Sequence, residues 1–116
     1  MSIQYQIIYW RDIPTHLRLR QGRKRHTHAM PEIFQKTVYR AAYRGKAITG
    51  DAYQDGWRSD SWAEIALELE LELEEKVESG QILAKAGEAL AAALIAAYDE
   101  ERLNALALNK GREPAA

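Results

Sequence analysis

The 116 residues, of which 47% are hydrophobic and 28% charged, are enough for one domain and too apolar for a disordered chain. The absence of cysteine excludes a disulfide framework and a thiolate metal site. The net charge of −1 conceals a division: residues 1–50 hold ten Lys/Arg against two acidic residues (net +8), and the remaining 66 hold six against fifteen (net −9). This asymmetry predicts either a charged partner or two halves that neutralise each other.

Nothing at the N-terminus resembles a secretory signal, because Gln4 and Gln6 interrupt the first apolar residues. The longest apolar run, 89–98, is about half of the ~18 residues that span a bilayer. We therefore expect a cytoplasmic protein without a membrane partner.

Residues 5–25 predict two strands joined by a turn at Pro14, because apolar and polar residues alternate on either side of the proline. In the second strand Leu17 and Leu19 alternate with arginines that point outward, and Gly22 predicts a turn or a bulge. Residues 23–28 are polar on both faces, which is typical of a short edge strand or an open loop.

A first helix follows, with Pro31 at its start and Gly45 at its end. Its basic residues recur every four positions and form a stripe. Its apolar face consists of Ile33, Phe34, Thr37, Val38, Ala41 and Ala42.

The stretch LELELELEE alternates as a strand would, but Leu and Glu are strong helix formers, so a helix is the favoured interpretation. A capping box at Ser61–Glu64 agrees with a helix that starts there. Ser79-Gly80 ends it, and an alanine-rich helix follows as far as Tyr98. That helix is predicted to turn inward Ile82, Ala86, Leu90, Ala93, Leu94 and Ala97. Asp99 then predicts the cap of a last short helix.

These elements predict an α+β fold: a small antiparallel sheet of two or three strands, packed against about three helices. The predicted regions of this single domain are 1–29 (β-hairpin), 30–45 (first helix), 46–60 (connector), 61–109 (helical C-terminal half) and 110–116 (flexible tail).

Metal chemistry has little support in the sequence. His26 and His28 would lie on one strand face as two metal ligands, but only His16 remains as a third histidine. Asp51 and Asp55 match part of a calcium loop and lack the carboxylate at its last position. No phosphate loop, nucleophile elbow or acid–base pair stands out, so no cofactor and no reaction are predicted.

The strongest functional signal is a basic surface, for which an acidic protein partner is the favoured hypothesis. Its predicted members are Arg18, Arg20, Arg23, Lys24, Arg25, Lys36, Arg40 and Arg44. That partner would be another protein or the acidic helix of a second subunit. Nucleic acid is the alternative, with Tyr9, Trp10 or Trp57 as stacking rings. Intramolecular neutralisation by Glu68–Glu75 would leave no open surface.

The segments YQIIYWRDIP, MPEIFQ, RAA and DAYQDGWR, with the basic run between the first two, resemble a small bacterial family of "virulence factor" domain proteins. The family domain occurs alone or fused to HEAT-type helical repeats. The resemblance implies an accessory or adaptor protein, and an alternative role as a non-catalytic partner of a folate or corrinoid one-carbon enzyme. It covers the first half of the chain.

Within these motifs Trp10, Arg11, Trp57 and Arg58 are either binding residues or core residues with paired arginines. We therefore predict a non-enzymatic adaptor whose basic hairpin and first helix recognise an acidic protein, and whose apolar C-terminal helices contribute to dimerisation.

Overall fold

The computed structural model describes residues 2–47 and 50–113, and these form an antiparallel sheet of five strands with five helices. The strands are β1 (Gln4–Trp10), β2 (Ile13–Gln21), β3 (Lys24–Ala29), β4 (Trp57–Ser59) and β5 (Ala63–Glu64). The helices are α1 (Glu32–Arg44), α2 (Asp51–Asp55), α3 (Leu67–Lys76), α4 (Ile82–Ala97) and α5 (Glu100–Leu108), with a 3-10 turn at Ser79–Gln81. The predicted α+β class is confirmed, and the predicted numbers of strands and helices were too low.

The sheet has the order β3-β2-β1-β4, and β5 pairs with the other end of the β1 edge that β4 occupies. β1 is therefore central and β3 forms an outer edge. The two faces differ because side chains alternate along a strand. Leu17 and Leu19 are buried under the helices, and Leu19 lies against Gly87 of α4. Arg18 and Arg20 alternate with these leucines, so they lie on the opposite face, called here the open face.

The predicted turn at Pro14 was wrong, because Pro14 is a buried residue inside β2. The chain reverses instead at Arg11 and Asp12, where Arg11 has a positive φ of 52°. Pro14 lacks a backbone N–H, and it lies beyond His16, where the pairing of β2 with β3 ends. A register shift in β1 between Ile8 and Tyr9 accommodates it.

The predicted first helix is confirmed as α1, which begins after Pro31 and ends at Gly45. Its buried residues are Phe34, Thr37, Val38, Ala41 and Ala42. Ile33, predicted on the same face, is exposed. α1 packs against β2 and α5, so the groove between the two helices lies on the covered side of the sheet.

The LELELELEE stretch is helical as predicted, and Leu73 is its buried residue. The predicted capping box was wrong. Ala63 pairs with Tyr5 of β1, so this segment is used as a strand and α3 begins only at Leu67. Backbone pairing with β1 outweighs the local capping signal here.

In α4 the predicted Ile82 and Ala86 are buried, whereas Ala93 and Ala97 are exposed. By length and composition alone, the stretch Ser79–Ala97 passes for a membrane span, with a mean hydropathy of 1.3. Core helices pass the same test, and α4 packs on β2, β3 and α3. The predicted cap of α5 is confirmed, since the Asp99 carboxylate accepts the backbone N–H of Arg102 at 2.8 Å.

Two predicted irregular regions contain ordered structure. The connector 46–60 includes α2 and β4, and β4 pairs with β1 from Ile8 to Trp10. The tail 110–116 begins with residues held against the β1–β2 turn, where Asp12 donates its N–H to the Gly111 carbonyl at 2.8 Å. Residues 48–49 of the connector and 114–116 of the tail lie outside the described residues.

Candidate functional site

The β2–β3 hairpin brings together five of the predicted site residues, a group called here the basic hairpin: Arg18, Arg20, Arg23, Lys24 and Arg25. Gln21 pairs with Lys24, so Gly22 and Arg23 form a two-residue turn. Gly22 has a φ of 61°, a conformation that glycine adopts without steric cost. The tip therefore presents three consecutive basic residues.

On the open face Arg20 is held in place and Arg18 is not. The Arg20 Nε donates to the Gln4 Oε1 at 2.6 Å, and its guanidinium carbon lies 4.0 Å from the ring centre of Trp62. Arg18 is exposed between Gln6 of β1 and Thr27 of β3, with no side-chain partner among the described residues. The face thus offers one unpartnered guanidinium beside a positioned one.

At the hairpin tip the described hydrogen bonds of Lys24 and Arg25 go to backbone carbonyls. The Arg25 Nη1 donates to the carbonyls of Gly22 and Lys24, at 2.7 and 3.0 Å. The Lys24 Nζ donates to the Ser79 carbonyl at 3.4 Å. Arg23 is exposed, and the described part of the chain supplies no partner for it.

The acidic stretch of α3 does not pair with the basic hairpin. Glu70 accepts the Ile3 backbone N–H at 2.7 Å, and Glu72 pairs with Lys76 at 3.4 Å. Over residues 2–47 and 50–113, no ion pair joins an arginine of the hairpin to a carboxylate. Within this range, therefore, no direct contact supports the alternative that Glu68–Glu75 neutralise the arginines of the basic hairpin.

The rest of the predicted basic surface lies elsewhere. Lys36 pairs with Glu32 at 3.8 Å, and the Arg40 Nη1 donates to the Asn104 Oδ1 of α5 at 3.0 Å. Arg44 is exposed at the end of α1. Because α1 packs on the face of β2 opposite Arg18, these residues do not form one surface with the guanidiniums of the open face.

Both tryptophans of the motifs pack against Tyr53 of α2. Trp10 has no exposed surface, and its Nε1 donates to the Tyr53 carbonyl at 2.9 Å. Trp57 is half-buried, with its ring edge-on to Tyr53 at a centroid distance of 5.9 Å. Gly56 lies so close to Trp10 that any Cβ there would be 2.5 Å from the indole Nε1.

The two arginines of the motifs hold the β1–β2 turn. The Arg11 Nη1 donates to the Lys110 carbonyl at 2.6 Å, and burial, with Arg112 nearby, lowers the pKa of Arg11. The Arg58 Nε donates to the Arg11 carbonyl at 2.8 Å. Its guanidinium pairs with Asp12 at 3.3 Å, and with Asp60 at the same distance.

A tyrosine pair lies next to these arginines. Arg58 stacks on Tyr9 at 4.2 Å, and Arg102 stacks on Tyr98 at 3.8 Å. Burial is the largest cause that raises the pKa of Tyr9 to about 12, and it also raises the pKa of Tyr98. Each arginine is also paired with a carboxylate, Arg58 with Asp12 and Arg102 with Glu113 at 2.7 Å.

The histidines do not gather into a metal site. The rings of His26 and His28 are 6.4 Å apart, and His28 lies at Gly87 on the helix side of β3. His16 belongs to the open face with Arg18, and its Nδ1 is 2.9 Å from the Thr15 Oγ1. Within the described ranges no three His, Asp or Glu residues are grouped to hold a metal ion.

Sequence reasoning missed two features of the surface. Trp62 contacts Arg20 because β5 pairs with β1, and no local sequence pattern predicts that pairing. The exposed apolar residues of the α1–α5 side were also missed: Ile33, Tyr39, Tyr43, Ile95 and Leu108. The only available signal was a tyrosine pair with spacing i, i+4 beside the basic stripe.

Comparison with known proteins identifies a family for this chain. The family model described as virulence factor matches residues 8–107, which include the basic hairpin, α1, both tryptophan motifs and nearly all of α5. No curated protein and no solved structure matches this chain. The match covers most of the sequence, well beyond the half that carried the resemblance. The chain belongs to the virulence factor family.

Proposed function

We propose that this chain is a non-enzymatic accessory or adaptor protein that binds an acidic segment of another protein through the basic hairpin. The observation that carries the proposal is the state of the five basic side chains. None of them is paired with a carboxylate among the described residues, and Arg18 and Arg23 have no side-chain partner there. Surface charges without internal partners attract and orient a complementary surface.

The outer edge of the sheet suggests how such a segment would be held. β3 pairs with β2 on one side only, so the other side of its backbone is available to an added strand. A strand placed there would lie about 4.8 Å from β3. Its side chains on the open face would reach Arg25 first, since Arg25 lies opposite Arg20 and faces the same way. Backbone hydrogen bonds would supply affinity and the arginines would select carboxylates.

Nucleic acid is the weaker candidate for the same surface. Proteins that bind single strands offer aromatic rings on which bases stack. Here Trp10 is buried, Trp57 packs on Tyr53, Tyr9 is covered by Arg58, and Trp62 is covered by Arg20. The chain as a whole carries a net charge of −1, which lowers long-range attraction to phosphates.

A photo-crosslinking amino acid at Thr27 tests the proposal in the native cells of the protein. Thr27 is exposed beside Arg18 on β3, and Gln54, exposed on α2, is the matched control position. We expect a protease-sensitive adduct with one or a few proteins from Thr27 and not from Gln54. Mass spectrometry of the adduct would then identify the partner, including a one-carbon enzyme if that is its class.

Two results would overturn the proposal. One is a Thr27 adduct that is sensitive to nuclease, and whose nucleic acid remains after protease treatment. That result would assign the basic hairpin to binding of RNA or DNA. The other is the same set of protein adducts from Thr27 and Gln54, which would show that the hairpin selects nothing.

A further inference from the structure

An exposed apolar groove lies between α1 and α5. It has a volume of about 680 Å³, and its walls are Tyr39, Tyr43, Ala107 and Leu108, with Arg40 and Arg44 as its charged members. Tyr39 is 58% exposed, Tyr43 74% and Leu108 57%. Single exposed apolar residues are common on protein surfaces. Several large ones that lie side by side are typical of an interaction surface.

A surface of complementary chemistry lies on α3 of the same chain. Leu67 and Leu71 are one helical turn apart and are 66% and 55% exposed. Glu68 and Glu75 lie along one side of this leucine pair and Glu74 along the other, and all three are exposed. The outward face of α3 is therefore apolar with an acidic border, whereas the groove is apolar with a basic border.

These two surfaces cannot meet within one molecule. α3 is fixed near the start of β1, where Glu70 accepts the Ile3 N–H, and Leu73 is buried beneath it. The groove ends near Gly45 and Lys110, which lie beside Arg11 just after β1. The intervening strand spans about 25 Å at ~3.3 Å per residue.

We propose that the α1–α5 groove receives the leucine face of α3 from a second copy of this chain. Leu67 and Leu71 enter between the two tyrosines and Leu108, and the bordering glutamates lie against Arg40 and Arg44. Apolar burial supplies most of the attraction, and the charges set the orientation. Each copy carries both surfaces, so two copies related by a twofold axis make the contact twice.

Sedimentation equilibrium over a range of protein concentrations tests this self-association. The wild-type chain should form a reversible dimer that weakens as salt is added, because part of the attraction is between exposed charges. Two double variants should sediment as monomers. One carries Leu67→Ser and Leu71→Ser, and the other carries Arg40→Glu and Arg44→Glu. All four side chains are exposed, so circular dichroism should report an unchanged fold.

A complementary charge exchange distinguishes this contact from any other self-association. The double variant Glu68→Arg with Glu75→Arg should also be a monomer. Combining it with Arg40→Glu and Arg44→Glu in one chain should restore the dimer. The matched control is Ala92→Ser with Ala96→Ser on the exposed face of α4, which should dimerise like the wild type.

Three results would overturn the proposal. The first is a wild-type chain that remains monomeric up to about 1 mM, the weak end of specific association. The second is a leucine variant that associates as strongly as the wild type, which would show that another surface is used. The third is a double charge exchange that stays monomeric, which would show that α3 and the groove do not contact each other.

Discussion

The Asp12 carboxylate accepts the backbone N–H of Glu113 at 2.7 Å and joins the first turn of the sheet to the C-terminal segment across 101 positions of the chain. The same carboxylate pairs with Arg58, which arrives from β4. The turn that the YWRDIP motif forms is thus a meeting point of three distant segments. Arg11 and Arg58 of the motifs make their contacts at this turn, while the binding surface that we propose lies on the next hairpin.

Replacing Asp12 by alanine should destabilise the fold by about 1–2 kcal/mol. The change leaves the Glu113 N–H and one side of the Arg58 guanidinium without their acceptor, and hydrogen bonds to charged groups contribute about 1.5–3 kcal/mol. We place the loss below the upper limit because the Asp12 side chain is 31% exposed. Urea unfolding followed by circular dichroism measures it. Asp55→Ala is the matched control, since Asp55 is exposed at the end of α2, and equal losses for both would contradict this role of Asp12.

Gly56→Ala should cost about 1–3 kcal/mol, the usual range for overpacking a core. The new Cβ would meet the fully buried Trp10 indole at 2.5 Å, so the ring would have to move and weaken its hydrogen bond to the Tyr53 carbonyl. The control is Gly80→Ala, where nothing lies within 4 Å of the new atom. We expect a change smaller than about 1 kcal/mol there. The same thermal shift in both variants would show that Gly56 is not constrained by Trp10.

The stability of the fold should fall between pH 10 and pH 12 in a way that depends on Tyr9. Folding raises the pKa of this phenol from its ordinary value of 10.0 to about 12, so the native state favours the protonated form. This contribution is fully present below pH 10 and is lost as the pH rises through 12. The free energy of unfolding of Tyr9→Phe, measured by urea at several pH values, should fall less steeply. Parallel curves for the two proteins would contradict the burial of the phenol.

The parts of the fold that follow from short-range pattern could be predicted. α1 has a start residue, a stop residue and an apolar face at helical spacing, and all of these were recovered except Ile33 on that face. β2 was predicted from the alternation of leucine and arginine, which also placed Arg18 and Arg20 on the outward face. Asp99 was recognised as a cap because its hydrogen bond is made three residues along the chain.

The parts that depend on distant pairing could not be predicted. β4 and β5 are three and two residues long, and they are strands only because β1 supplies partners for them. Pro14 looked like a turn residue because nothing local shows that β3 stops before reaching it. The separation of Arg40 from Arg18 had the same origin. Both belong to basic runs in the sequence, but the packing of α1 on β2 sends their side chains to different sides of the sheet.

Quantitative affinity capture from native cells tests the central claim most directly, with the wild-type chain and two variants of equal charge as baits. One bait carries Arg18→Ser, Arg23→Ser and Arg25→Ser in the basic hairpin. The other carries Lys36→Ser, Lys76→Ser and Lys85→Ser, exposed helix lysines whose ion pairs are exposed and contribute little. We predict that the protein captured by the wild type is reduced at least about tenfold by the first variant, a loss of ~1.4 kcal/mol, and retained by the second. Equal recovery on all three baits would contradict the claim that the basic hairpin is the binding surface.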